Sequence, residues 1–355
     1  LLSENLSHDN CLISPLSIVS ALGMTANGAE GSTRAQMEQM MHTDTAALND
    51  YLKAYTDYMP NSEACQVNIA NSIWFRDRDS LAINEDFLKT SRNYYDASIF
   101  EAPFDAGTKD DINSWVKKET NGMIQKLLEE APPRDAVMYL VNALSFDGEW
   151  RDIYKKNQIH KGTFNAENGE HQPAEFMYST EAVYLENTWG RGFLKPYGDG
   201  AYAFAAVLPD EGMTMKEFLE RLKENGITDL LEQTRNKTVC VRLPKFTVEY
   251  NVVLNESLME SGMKDAFDSQ KADFSSMAHS DNDNIYISKV IHKTKIDVDE
   301  KGTKAGAVTA VEVSEGSAVQ TEEPKEVFLD RPFFYMIIDT RQNVPLFMGC
   351  LMQLE

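Results

Sequence analysis

The chain has 355 residues, 42% of them hydrophobic, 25% charged and 10% aromatic, and its formal net charge is −22. That apolar share excludes collagen-like, low-complexity and wholly disordered chains, and no apolar run approaches the roughly 20 residues of a membrane-spanning helix. So strong a negative field repels nucleic acid, anionic membranes and sulfated polysaccharides.

Residues 10–60 read as helical. Ile13, Ile18, Leu22 and Met24 open an apolar face, and Ser14-Pro15 makes a cap with proline in the first turn. Val67–Phe75 alternates at period two, as a half-buried strand does. Ile112, Trp115, Val116, Met123, Ile124, Leu127 and Leu128 recur at helical spacing, which predicts a helix over 111–128 ended by Pro132-Pro133. Met138–Phe146 is apolar apart from Asn142 and suits a central strand covered on both faces. Beyond residue 150 the texture is β-rich, with strands expected at 202–208, 239–243, 285–290, 333–338 and 346–351 and helices at 214–224 and 251–262. Helices early and strands late favour an α+β fold with one shared core.

Four dispersed cysteines, 11, 65, 240 and 350, form no CxxC pair and no disulfide framework. The six histidines show no metal-binding i, i+4 pair. Ser261-Gly262-Met263-Lys264 and Ser280-Asp281-Asn282 imitate two motifs of serine β-lactamases, but the third, KTG, is missing and the two lie close together. Gly198-Asp199-Gly200 lacks the strand–turn–helix unit of a dinucleotide loop and reads as a hairpin turn. No catalytic apparatus emerges, and the chain is not expected to be an enzyme.

Residues 302–325 break the pattern. A small-residue run from Gly302 to Ala310 is followed by Val311, Glu312, Val313 and a polar stretch reaching Pro324. Loops this long in compact domains carry function or stay disordered. Yet Thr303, Ala305, Ala307, Thr309, Val311 and Val313 fall on one face of a latent strand.

From about residue 10 onward the sequence resembles the serpins. The resemblance rests on Asn10–Ile18, on the Trp-Val…Thr-Asn-Gly…Ile pattern of 112–128, on Leu140–Phe146 with Gly148-Glu149-Trp150, and on Leu243-Pro244-Lys245-Phe246. It continues through Ala272–Ser275, Ile287–Lys293, Glu300-Lys301-Gly302-Thr303 and Arg331-Pro332-Phe333-Phe334. It implies a single serpin domain over 1–355, with three β-sheets, about nine helices and an exposed reactive-centre loop at about 302–325. The family's first helix is expected to be truncated or absent at this N-terminus. The implied activity is suicide inhibition of serine proteases, and in some members of cysteine proteases. The target cleaves the loop, becomes esterified to it, and is carried across the molecule as the loop enters the large sheet.

The same resemblance assigns residues. Glu300, Gly302, Thr303, Ala305, Gly306, Ala307, Val308, Thr309 and Ala310 correspond to the hinge, where small side chains without proline are needed for insertion between paired strands. Ser14, Ser17, Asn142 and His292 correspond to the shutter, and Trp150 with a Glu300–Lys245 pair to the breach. The family's spacing, 16 residues after Glu300, puts the reactive bond at Gly316–Ser317, with Val313, Ala318 and Val319 as alternatives. Between Ala305 and Pro324 there is no Lys, Arg, Phe, Tyr, Leu, Met or Asp. That disfavours trypsin-like, chymotrypsin-like and caspase targets and leaves elastase-like or subtilisin-like ones with a small apolar pocket. No cofactor is expected. A heparin-type cofactor is disfavoured because Asp50 and Asp57 face a lone Lys53 in the relevant helical region. Secretion is implied by the resemblance alone, no signal peptide being visible. The expected state is a monomer in which the latent strand makes loop–sheet polymerisation a hazard. Two other readings stand beside inhibition: a non-inhibitory serpin (carrier, storage or chaperone) and a β-lactamase-like hydrolase acting through Ser261.

Overall fold

The computed structural model describes residues 2, 9–77, 81–133, 136, 138–232, 234–235, 237–280, 284–303 and 324–354. The chain begins with strand β1 (Cys11–Ile13) and three helices: α1 (Pro15–Ala26), α2 (Gly31–Met41) and α3 (Thr45–Asp57). The Ser14 hydroxyl caps α1 by accepting from the Ser17 amide, and Pro15 occupies the first turn, where its missing N–H costs nothing. Then follow β2 (Cys65–Arg76), β3 (Leu81–Ile83), α4 (Glu85–Tyr95), β4 (Ser98–Ala102), α5 (Ala106–Glu119) and β5 (Met138–Glu149).

Helix α5 is shorter than its periodicity predicts. Asn121 and Gly122 take φ of 50° and 75°, a left-handed turn that ends the helix. The apolar rhythm continues past the turn because the chain doubles back. Asn113 accepts from the amides of Leu127 and Leu128 at 2.8 Å and donates to the Leu128 carbonyl at 2.8 Å. This seats Ile124 and Leu128 beside Ile112, Val116 and Trp74 on the outer face of the sheet.

The second half contains β6 (Ile159–Asn165), β7 (His171–Glu181), β8 (Val183–Glu186), β9 (Gly190–Pro196) and β10 (Tyr202–Pro209). Next come α6 (Met215–Glu232), β11 (Thr234–Arg235), β12 (Val239–Pro244), β13 (Phe246–Val253), α7 (Asn255–Glu260) and β14 (Ala278–Ser280). The last strands are β15 (Ile291–Val298), β16 (Gly302–Thr303), β17 (Lys325–Phe328), β18 (Phe333–Asp339) and β19 (Val344–Leu351). Gly198 and Gly200 do lie in the turn between β9 and β10. The expected strand at 285–290 is absent, and β15 begins at Ile291. Its backbone groups are used elsewhere: Val290 donates to Asn255 Oδ1 and accepts from Leu254, Ser288 accepts from Asn255, and Ile287 donates to Ala266. The alternation of Ile285 and Ile287 reflects burial of a loop. Likewise 246–253 is strand, and only 255–260 of the expected 251–262 helix is helical.

The strands form a seven-stranded sheet (β1-β19-β18-β10-β9-β8-β11), a six-stranded sheet (β13-β15-β16-β5-β2-β4), a four-stranded sheet (β17-β12-β7-β6) and a two-stranded ribbon (β14-β3). The three expected sheets are therefore present with a small fourth. Seven α-helices occur among the described residues against about nine expected, α6 itself being broken at Gly226. The N-terminal helix expectation falls mostly outside the described residues. Helix α1 packs against both β5 and β19, so it lies where the two large sheets meet. The core continues through β10 and β18, which are buried along their lengths.

Candidate functional site: the seam between β5 and β15

In the six-stranded sheet, β5 and β15 are joined, among the described residues, through β16 alone. Val298 pairs with Thr303, Gly302 with Glu149, and Thr303 with Gly148. Among the described residues no ladder connects β5 directly to β15. The close approach at the top depends on glycine: a Cβ on Gly302 would stand 2.0 Å from the Gly148 carbonyl oxygen. Lower down, a narrow cleft with a cavity of about 50 Å³ separates the two strands, lined by Ser17 and Ile18 of α1, Leu140 and Asn142 of β5, and Val290 and His292 on the far side.

Above the cleft, Trp150 anchors the turn leading into β16. Its indole donates to the Asp299 carbonyl at 2.8 Å, and its amide donates to the Lys301 carbonyl at 2.8 Å. Tyr197 stacks on Trp150 with centroids 4.4 Å apart. Its hydroxyl shares a hydrogen bond with that of Thr303, and both residues are fully buried. Lys245 pairs with Glu300 at 2.8 Å and with Glu175 at 3.1 Å, so the expected ion pair is present. The Lys245 ammonium holds Glu300 below its usual range. Partial burial pulls Lys245 down, but hydrogen bonds to the two carboxylates outweigh it and leave it raised. The pair is partly exposed and contributes little to stability in water.

At the cleft the four expected shutter residues meet in one network. His292 Nε2 accepts from the Ser14 amide at 3.0 Å. The Ser17 hydroxyl donates to Asn142 Oδ1, whose amide nitrogen donates to Asn71 at 2.6 Å. Asn142 and His292 therefore sit on opposite walls, each bonded to a different residue of the α1 N-terminus. Burial pulls His292 down to about 4, so the neutral imidazole is the folded form.

Several residues here escaped the sequence analysis. Lys195 is 1% exposed, paired with Glu181 at 2.8 Å, and lies 4.4 Å from the Tyr154 ring centroid and 5.4 Å from that of Trp150. Ser179 and Tyr154 extend this network, and the Tyr154 amide donates to the Glu300 carbonyl at 2.9 Å. Its one sequence signal was a lysine inside the apolar strand Gly-Phe-Leu-Lys-Pro-Tyr. Tyr197 and Asn71 carried none beyond core character.

Ala305, Gly306, Ala307, Val308, Thr309, Ala310, Val313, Gly316, Ser317, Ala318 and Val319 lie outside the described residues. The Ser261 hydroxyl donates to the Ser257 carbonyl at 2.8 Å, an intrahelical contact, while Asp281 and Asn282 also lie outside the described residues. Among the described residues no group of three or more His, Cys, Asp or Glu side chains is placed to hold a metal, and no helix is long and apolar enough to cross a membrane.

Residues 1–354 match the family described as "Serpin (serine protease inhibitor)". The chain belongs to the serpin family. The crystal structure of a thermophilic serpin, tengpin, in the native state is similar to it with a TM-score of 0.93 at 44% identity, covering 99% of this chain and 90% of that one. The structure of a loop C-sheet serpin polymer matches with a TM-score of 0.83 at 40% identity, over 100% of this chain and 92% of that one. An uncharacterized serpin-like protein of Thermococcus kodakarensis is 30% identical, over 98% of this chain and 81% of its own length. Serpins generally inhibit proteases as suicide substrates rather than acting as enzymes, and serpins can polymerise. The fold agrees with that of the family.

Proposed function

We propose that this serpin inhibits serine proteases with a small apolar primary pocket, elastase-like or subtilisin-like, by trapping the acyl-enzyme. The protease serine attacks the Gly316 carbonyl, an ester forms, and the peptide beginning at Ser317 leaves before water arrives. The freed segment beyond Thr303, which already pairs with both strands, then enters the seam between β5 and β15. Fourteen residues at roughly 3.3 Å each span about 46 Å, enough to move the attached enzyme towards the opposite pole. Distortion of its triad then slows deacylation, because small misplacements of reacting groups cost orders of magnitude in rate.

One observation carries this reading: β5 and β15 are bridged by two residues of the hinge itself, with a cleft below them. In it, Ser14, Ser17, Asn142 and His292 act as the shutter, Trp150, Lys245 and Glu300 as the breach, and Glu300, Gly302, Thr303 and the run 305–310 as the hinge. The secreted setting rests on the family alone, and one serpin domain over the whole chain belongs to the same reading.

The test is incubation with an elastase and with subtilisin. The expected result is a complex that survives denaturing electrophoresis and a released peptide whose mass starts at Ser317. A peptide starting after Val313, Ala318 or Val319 would move the reactive bond. Quantitative loop cleavage without complex would contradict inhibition and favour a non-inhibitory serpin.

A further inference from the structure

Two of the four cysteines face one another at the outermost seam of the seven-stranded sheet. Cys11 in β1 and Cys350 in β19 are direct antiparallel partners, so their side chains leave the same face. Such partners stand about 4.5 to 5.5 Å apart at Cα, within the roughly 4.4 to 6.8 Å that a disulfide spans. They are 1% and 0% exposed. The neighbouring Cys350 holds the Cys11 thiol below its ordinary range, while burial pushes Cys350 well above it. The other two cysteines have different neighbours: Cys65 lies opposite Gly148, and Cys240 lies between Glu326 and Thr180.

We propose that Cys11 and Cys350 form a disulfide when the chain folds in the presence of a low-molecular-weight disulfide such as oxidised glutathione. The Cys11 thiolate attacks one sulfur of the oxidant, its S–S bond breaks, and one small thiolate leaves. The Cys350 thiolate then attacks the Cys11 sulfur of the mixed disulfide and expels the second. Two cysteine thiols are oxidised, the oxidant is reduced to two thiols, and those thiols take up both protons. Because the pair is buried, the exchange occurs on the folding chain or when the three-residue edge strand frays.

The bridge closes a covalent loop over most of the chain, a strong constraint on the unfolded state. It also fixes the strand that reaches the cleft. The Leu12 carbonyl accepts from Thr294 of β15 at 2.8 Å, and the Ser14 amide donates to His292. A bridged β1 stays with β19 whatever β15 does.

The full chain is refolded with oxidised and reduced glutathione, denatured in excess iodoacetamide, and weighed before and after unreduced proteolysis. The expected result is two alkylated cysteines rather than four, and a cross-linked peptide joining Cys11 to Cys350. The thermal midpoint should fall by about 5 °C on reduction, and Cys350→Ser should remove that sensitivity. Four alkylated cysteines, a bridge through Cys65 or Cys240, or a midpoint indifferent to reductant would overturn the proposal.

Discussion

The hydroxyls of Thr303 and Tyr197 share a hydrogen bond inside the protein, where β16 sits between β5 and β15 of the six-stranded sheet. No charged side chain fits there without losing its hydration, since the Tyr197 ring is already stacked on Trp150. Thr303→Arg is therefore expected to keep the loop cleavable but to block its entry. With an elastase, the complex band on a denaturing gel should fall at least about tenfold relative to the cleaved band; an unchanged ratio would remove Thr303 from the hinge. Tyr197→Phe strands one buried hydroxyl and should lower stability by about 1–2 kcal/mol, measured by urea unfolding.

Acid should weaken the contact between the start of α1 and β15 through His292. Burial lowers its value from 6.5 to about 4, and only the neutral ring accepts from Ser14. Its contribution is complete above pH 6.5 and is lost as the pH falls towards 4, on the order of 3 kcal/mol in all. Comparing denaturation of the protein and of His292→Asn at several pH values isolates this slope from the many carboxylates. Parallel curves across that window would contradict it.

The Lys195–Glu181 pair is buried beneath Tyr154 and Trp150. Removing one partner leaves an uncompensated charge, so Lys195→Met should cost about 3–5 kcal/mol. Adding Glu181→Leu should restore most of it, because two apolar groups need no partner. A double-mutant cycle with coupling near zero would show that the ions do not depend on one another.

Local signals in the sequence were legible where a residue acts on its own neighbourhood. The Ser14-Pro15 cap, the strand at β2 and the apolar run of β5 all read correctly, although β2 is not half-buried: residues 71–75 are buried in succession. The family motifs located Ser14, Ser17, Asn142 and His292, which do converge. Failures arose where side chains from distant segments decide the backbone. Asn113 folds 127–128 back against α5, so helical spacing persists beyond the helix. Asn255 and Ala266 take the backbone groups of 287–290, so an apparent strand is a loop. The Cys11–Cys350 pair exists only through strand register, and the Lys195–Glu181 pair only because β9 and β7 of two different sheets meet there, neither of which a local pattern encodes.

Thermal unfolding before and after nicking the loop between Ala305 and Ser317 tests most directly whether the seam is a strand site waiting to be filled. Filling it adds backbone hydrogen bonds on both sides of the new strand, and the midpoint should rise on the order of 15 °C. A nicked protein that melts at the temperature of the intact one would contradict the account.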